Sequence, residues 1–482
     1  MTTRPEETNS RGGVIGWMKR HPKTTVFLGL VLLLAVGLYL FDAVAKNRLA
    51  ERIAAIRAKG EPTTLADLLA RQRNIPDNEN MLEALVKPAE KMGQVTIPED
   101  KSAHLPYLGG AIRVPTGQRW SGQELATAQW YLRQFTAELS SIHAGLKLKD
   151  SAHNIAWKEP IVTVPIPELS YLRHAGKVVA LEILSAANSD DQKAAEQDIL
   201  EILPMLQVID GGESLLSALV HVANHAVVHD CIERTVNLVG LSDLALNRIE
   251  ASLRVTEHRP DLGTALRSER ALFMDSQVFA RSAGGAWWSW MSVSVLTTID
   301  LDEGLKLHAM LIEAVQPPYD SVFERLASVE ARTQSLPSYC VFTKTVMPSC
   351  SRAVVLWLRT IGQRRALRAA LASERFRLAN KLWPDRLEQL IPAYMDSVPI
   401  DPIDGKPIRY SVIPEGIKTW TISGDGHNED NGGDIQRLEP YSEPTIRPKD
   451  FGWVILNPDL RGRECSPPKT TTAPTPTTQP KP

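Results

Sequence analysis

Cysteine is scarce and poorly placed for chemistry. Cys231, Cys340, Cys350 and Cys465 are the only four, and none stands in C-x-x-C spacing, which argues against a structural zinc knuckle and a thioredoxin-type motif. Net charge is also lacking: 54 basic against 56 acidic residues leave −2, which speaks against a nucleic-acid-binding surface as the main purpose. No His-Glu-x-x-His, Gly-x-Ser-x-Gly, Gly-x-x-x-x-Gly-Lys-Ser/Thr or Gly-x-Gly-x-x-Gly run occurs. The common zinc-protease, hydrolase, phosphate-loop and dinucleotide signatures are therefore missing. What remains is ordinary globular material, 43% hydrophobic over 482 residues, enough for a sizeable core or several domains.

Membrane-length apolar runs are absent except for one, Thr24 to Phe41. Twelve of its eighteen residues are Leu, Val or Phe, and as a helix it would span roughly 27 Å, about a bilayer hydrocarbon core. Central apolar residues of this kind supply very roughly −4 to −7 kcal/mol of gross insertion energy. The run predicts a signal anchor, a transmembrane helix over residues 24–44 behind a cytoplasmic tail, 1–23. Ala43-Val44-Ala45 fits the small-x-small pattern of a cleavage site, the competing reading. Leu49, Ile53 and Ile56 at helical spacing favour a helix that continues outward instead.

Beyond the anchor the chain reads as helices punctuated by turn residues. Gly60, Pro62 and Thr63 or Thr64 stop one helix and cap another. Pro76 to Asn80 does the same before a helix through Leu82, Leu85 and Val86, and Ser121 with Glu124 makes a capping box. Helices are expected over 169–187, 191–209, 214–238, 242–255 and 262–280, an irregular bundle or solenoid-like region without a tetratricopeptide pattern. Within it His221, His225 and His229 recur every four residues, with Glu213 and Asp230 nearby. Residues four apart share a helix face, so two imidazoles could meet one metal, although a polar stripe on a packed helix is the commoner use. Trp287, Trp288 and Trp290 come after Gly284-Gly285; a core corner is the first expectation, with membrane-interface contact and ligand stacking as alternatives.

The last third is the most specific. A long amphipathic helix over 346–380 ends in Arg377-Leu378-Ala379-Asn380. After it come Trp383-Pro384, a short helix over 386–391, Val398-Pro399, Asp401-Pro402 and Asp404-Gly405. Strands are expected over 408–412 and 418–423, joined at Pro414-Glu415-Gly416, with one more over 450–456. Ser423 to Ile435 forms an acidic, Gly-rich loop of hard oxygen donors on a backbone that can fold tightly, as Ca²⁺ requires. Its spacing does not fit an EF-hand.

Residues from about 350 to 435 resemble the C-terminal half of the type II secretion major pseudopilin (protein G). The Gly60 to Leu68 and Pro76 to Asn80 stretches resemble the start of uncharacterised single-anchor bacterial proteins that carry such a piece. The resemblance implies a small α+β domain with a short antiparallel sheet and a Ca²⁺ site. By position its ligands would be Asp425 and Asp434, with Asn428 and Asp430 as further donors. The Gly-Phe-Thr-Leu-x-Glu leader of a pseudopilin is not found, which argues against assembly into a pseudopilus.

The expected organisation is a tail (1–23), anchor (24–44), juxtamembrane helices and loop (45–119), α-helical domain (120–345), pseudopilin-like α+β domain (346–460) and Pro/Thr-rich tail (461–482). The fold class is mainly α. The functional expectation is a single-pass protein of the bacterial inner membrane, with its bulk on the periplasmic side. It would be a non-enzymatic scaffold for a protein partner in the cell envelope, with the bilayer as the other partner and no nucleic acid. An envelope hydrolase with a site near His221 and His225 is the alternative. In an exported chain Cys340 and Cys350 could be bridged.

Overall fold

The computed structural model describes residues 17–18, 21–111, 113–155, 166–209, 211–257, 261–282, 287–317, 319–422, 430–435, 437 and 449–464, with backbone alone at 277–282, 287–295 and 320. Fourteen α-helices and a three-stranded sheet make up the described part. The first helix, α1 (Pro22–Ala58), carries the apolar run. Its mean hydropathy reaches 2.4 and none of that window is buried, so the chain has an apolar N-terminal helix long enough to cross a membrane. The same test is passed by Leu215–Val239, at hydropathy 1.3, but over half of that window is buried in protein; it is a core helix.

Short-range signals placed the next helices. Gly60, at φ +69°, lets the chain leave α1. Thr64 then caps α2 (Leu65–Leu69) in a capping box with Asp67. Asn80 caps α3 (Met81–Gly93), and α4 (Glu99–Ser102) is a single turn. Ser121 and Glu124 form the expected box at the start of α5 (Gly122–Gln134), which leads into α6 (Thr136–Gly145). The body continues through α7 (Pro167–Asn188), α8 (Gln192–Glu201), α9 (Leu215–Val239), α10 (Asp243–Val255), α11 (Leu262–Ser282), α12 (Trp287–Ala314), α13 (Val322–Ser335) and α14 (Val341–Asn380). Of the Pro-punctuated apolar stretch Ile161 to Pro167, which could run extended, only Ile166 and Pro167 are among the described residues, and Pro167 opens α7. The expected helix over 191–209 is split: α8 stops at Glu201, and Pro204 falls in a 3-10 turn, Leu203–Gln207, because proline cannot supply the next helical N–H.

Helix α14 joins the helical body to the sheet. It begins at Val341, five residues before the expected start, and crosses the boundary placed at 345/346. Its first half packs with α11, α12 and α13 through Met347, Val354, Trp357 and Ile361. Its second half, Ala366 to Ala372, belongs to the large core that also holds α3, α7, α9 and α10. The same core takes in Ile417, Trp453 and Ile455 of the sheet. Strands β1 (Arg409–Ile413), β2 (Gly416–Ile422) and β3 (Asp450–Leu456) form an antiparallel meander, with Ile417 opposite Ile455 and Trp420 opposite Gly452. The sheet approaches α14 so closely at Gly362 that a Cβ there would lie 2.4 Å from the Thr421 hydroxyl.

Two expectations are corrected. Cys340 and Cys350 are free and buried; Cys340 caps α14 and Cys350 lies ten residues along it, about 15 Å of helical rise, beyond the reach of a disulfide. The expected short helix over 386–391 is a 3-10 turn, Leu387–Leu390.

Candidate functional site

Two places carry the chemistry expected from the sequence: the loop end of the sheet and the histidine series on α9. At the loop, Asp425 and Asn428 lie outside the described residues. Asp430 Oδ1 accepts hydrogen bonds from Trp420 Nε1 at 2.9 Å and from the Gly432 N–H at 3.0 Å. Its Oδ2 faces Arg409 Nε at 3.5 Å. Arg409 also pairs with Asp401 and Asp404, so one guanidinium is shared among three carboxylates. The described role of Asp434 is a backbone one: its carbonyl accepts from the N–H groups of Lys449 at 3.2 Å and Asp450 at 3.1 Å.

Asp450, the first residue of β3, is a site residue that the sequence did not single out. Its side chain is fully buried, and Oδ2 accepts from the N–H groups of Asn431 and Gly433, each at 3.0 Å. Gly432 and Gly433 hold φ of +67° and +73°, the left-handed conformation that lets this backbone curl over the carboxylate. Among the described residues Oδ1 is buried without a hydrogen-bond partner. Burial raises the Asp450 pKa, and the nearby Asp430 charge adds to that. A buried carboxylate oxygen without a donor beside a second carboxylate favours a cation. Among the described residues, no group of three or more His, Cys, Asp or Glu side chains is arranged to hold a metal.

The histidine series is built into the core. His221, His225 and His229 are at most 1% exposed. The first two rings stack with centroids 4.3 Å apart; His229 meets His225 edge-on at 5.4 Å and Trp453 of β3 at 5.9 Å. His221 Nδ1–H donates to the Ile209 carbonyl at 2.7 Å and His225 Nε2–H to that of Leu206 at 3.1 Å. His225 Nδ1 accepts from Arg364 Nη2 at 3.1 Å, which fixes it as the neutral tautomer. Burial, then the Arg364 charge, holds His225 and His229 well below the usual imidazole pKa. The ladder thus ties α9 to α14, to the turn after α8 and to β3. A hydrolytic site at His221 and His225 would need water and substrate at rings that solvent does not touch.

Asp230, the other expected oxygen donor, is the centre of an ion network. Arg113, Arg234 (3.0 Å), Arg437 (2.7 Å) and the Tyr107 hydroxyl all bond it. Burial alone would raise its pKa; the three guanidiniums outweigh that and hold it well below the usual range. Arg437 also reaches Glu233 at 3.0 Å and lies over the Trp453 ring, 4.5 Å from its centroid. One turn further, α9 takes the place of a fourth strand. Glu233 accepts from the Val454 N–H at 2.9 Å, while Asn237 donates to the Val454 carbonyl at 2.8 Å and accepts from the Leu456 N–H at 2.7 Å. Helical residues four apart rise about 6 Å, and strand residues two apart nearly 7 Å. The spacings match, and the free edge of β3 is closed against pairing with another chain.

Comparison with protein-family models, curated proteins and solved structures gives no match for this chain.

Proposed function

We propose that the chain is a membrane-anchored envelope scaffold. In this reading α1 spans the bacterial inner membrane, and the helical body presents the C-terminal sheet unit to a protein partner on the periplasmic side. The observation that carries it is continuity. The helix that holds the exposed apolar run proceeds without a break into the body, where Leu49 and Ile56 pack on Ala271, Phe273, Leu301 and Leu305. Arg52 adds an ion pair to Asp302 at 2.7 Å. From there α14 and the α9 network carry the same packing to the sheet. A tether joined in this way fixes the position of the sheet relative to the membrane. The expected result in a bacterial host is that the full chain stays in the membrane pellet after alkaline carbonate extraction; release into the supernatant would sink the anchor.

The sheet unit is read as pseudopilin-like and stabilised by Ca²⁺. A long helix laid on a short antiparallel meander supports the first part. The orphan Oδ1 of Asp450 beside Asp430 supports the second, with Asp425, Asn428 and the carbonyl or carboxylate of Asp434 as further donors from the acidic loop. Millimolar Ca²⁺ is expected to raise the melting temperature of the purified chain by several degrees relative to EGTA, since a ligand at about 100 times its Kd stabilises by about 2.7 kcal/mol. Asp450→Asn should abolish that increment, whereas Asp404→Asn, on the Arg409 side of the cluster, should keep it. An equal Ca²⁺ response in wild type and Asp450→Asn would reject this site.

A further inference from the structure

The helices α11 and α12 form a hairpin whose direction can be fixed from its contacts. They run antiparallel: a Cβ at Gly263, near the start of α11, would lie 3.2 Å from Gln316 just past the end of α12, whereas ten residues on the Phe273 ring lies 5.0 Å from that of His308 and would be struck by a Cβ at Gly304. Glu61, just beyond the body end of α1, pairs with Arg267 at 3.1 Å and Arg270 at 2.7 Å near the start of α11. Further along, α11 contributes Ala271 to Met274 to the cluster that holds Ile56 and Leu49 of α1. The chain in α11 therefore runs back towards the apolar end of α1, and α12 returns alongside α1 in the same direction, with Asp302 against Arg52.

Helical rise then sets the depth of the hairpin end. Trp290 lies twelve residues before Asp302, and Leu40 twelve before Arg52, about 18 Å in each case. The α1 face that carries Leu49, Arg52 and Ile56 to the body is still partly covered at Ala45 and Asp42, whereas Leu40 and Phe41 are exposed. Cover along α1 thus ends where the membrane run begins. The first turn of α12, with Trp287, Trp288 and Trp290, falls at that boundary. At the other end of the run, Trp17 precedes Pro22 and is 41% exposed. Tryptophan favours the headgroup layer at both faces of a bilayer.

We propose that residues 287–290 rest in the interfacial layer of the membrane that α1 crosses, giving the body a second, lipid contact beside its tether. The proposal rests on the anchor reading above. Two contacts at separate points restrain tilt of the body about α1, which a single helix cannot do.

The test uses the full-length chain in phosphatidylcholine/phosphatidylglycerol vesicles, with and without brominated acyl chains, and reads the bromine-quenched part of the tryptophan emission. The triple variant W287F/W288F/W290F should lose that part roughly twofold or more, with Trp17 supplying the remainder. It should still float with the vesicles after carbonate washing. Quenching equal to wild type in a floating triple variant overturns the interfacial contact and leaves the anchor standing. Failure of the wild type to float overturns the anchor, and the contact with it. Should the triple variant not fold, the single variants W287F, W288F and W290F carry the test, and equal quenching in all three with wild type overturns the proposal.

Discussion

Asp230→Ala is expected to lower the stability of the C-terminal half by about 3 kcal/mol, and Asp230→Asn by less. Breaking a buried ion pair by removing one partner typically costs about 3–5 kcal/mol, because the charges left behind have lost both water and partner. Here three guanidiniums converge on one carboxylate whose side chain is only 15% exposed, with Arg234 at 7% and Arg437 at 13%. Arg113, at 44% exposed, can turn to solvent, which places the loss at the low end of that range. Arg234 and Arg437 cannot do so as easily, and Arg437 carries the loop before β3 to both Asp230 and Trp453. Asparagine would retain an acceptor for Tyr107 and one arginine. The measurement is urea unfolding of the detergent-solubilised chain followed by tryptophan emission, to which Trp453 contributes from inside the network. Asp396→Ala, which removes the 80% exposed partner of the half-exposed Arg254, is the comparison and should cost no more than about 1 kcal/mol. A loss from Asp230→Ala as small as that would mean the network does not hold the sheet to the body.

The network also shows which parts of this fold could be read along the chain. Helix starts are local events. Thr64 with Asp67 and Ser121 with Glu124 are three residues apart, and the sequence displays each capping box whole. The apolar run of α1 and the strand segments are equally local, and β1 and β2 lie within two residues of the expected 408–412 and 418–423. The histidine spacing was legible, and so was the fact that the three rings share a face. Their use was not, because Arg364 lies 139 residues from His225, and Arg437 lies 207 from Asp230. With no partner in view, two imidazoles and a nearby carboxylate read as a metal site; with the partners in place, they are packing.

Asp450 illustrates the converse. In the sequence it is one more acidic residue at the start of a strand, and nothing nearby indicates burial. Its role depends on Gly432 and Gly433 folding back over it from 17 residues away, a property of loop geometry. The edge of β3 is similar: Glu233 and Asn237 look like the polar face of an amphipathic helix, and only the docked strand, 221 residues on from Glu233, shows them as its hydrogen-bonding partners. Local chemistry fixes where elements begin; the pairing of distant polar groups decides what their faces mean.

Acid should destabilise the chain from about pH 6.5 downward, above the ordinary range in which exposed carboxylates protonate. Burial lowers the pKa of His153 and His308 to about 4, and that of His225 and His229 well below the ordinary value. An imidazole whose folded pKa is depressed binds its proton in the unfolded chain first. Between the unfolded value of 6.5 and the folded one, the unfolded state therefore holds more protons, and stability falls as pH falls. Each such group contributes up to about 1.4 kcal/mol per pH unit, so four together make a steep limb. His143 acts in the opposite sense. Hydrogen bonds to Glu182 and Glu201 raise its pKa, so its contribution is complete below pH 6.5 and is lost as pH rises through its folded value; the offset below pH 6.5 comes instead from Asp198, which burial raises to about 6, so that the folded state takes up that proton first. His308→Phe isolates a single contribution. His308 donates from Nδ1 to its own helix at the Gly304 carbonyl and stands against the Phe273 ring, so an apolar ring suits the site. The stability of this variant, measured by urea unfolding at half-unit steps from pH 7.5 to 4.5, should fall less steeply by at most one proton per molecule. A wild-type curve flat over that interval would show that the buried imidazoles are not neutral partners of the fold.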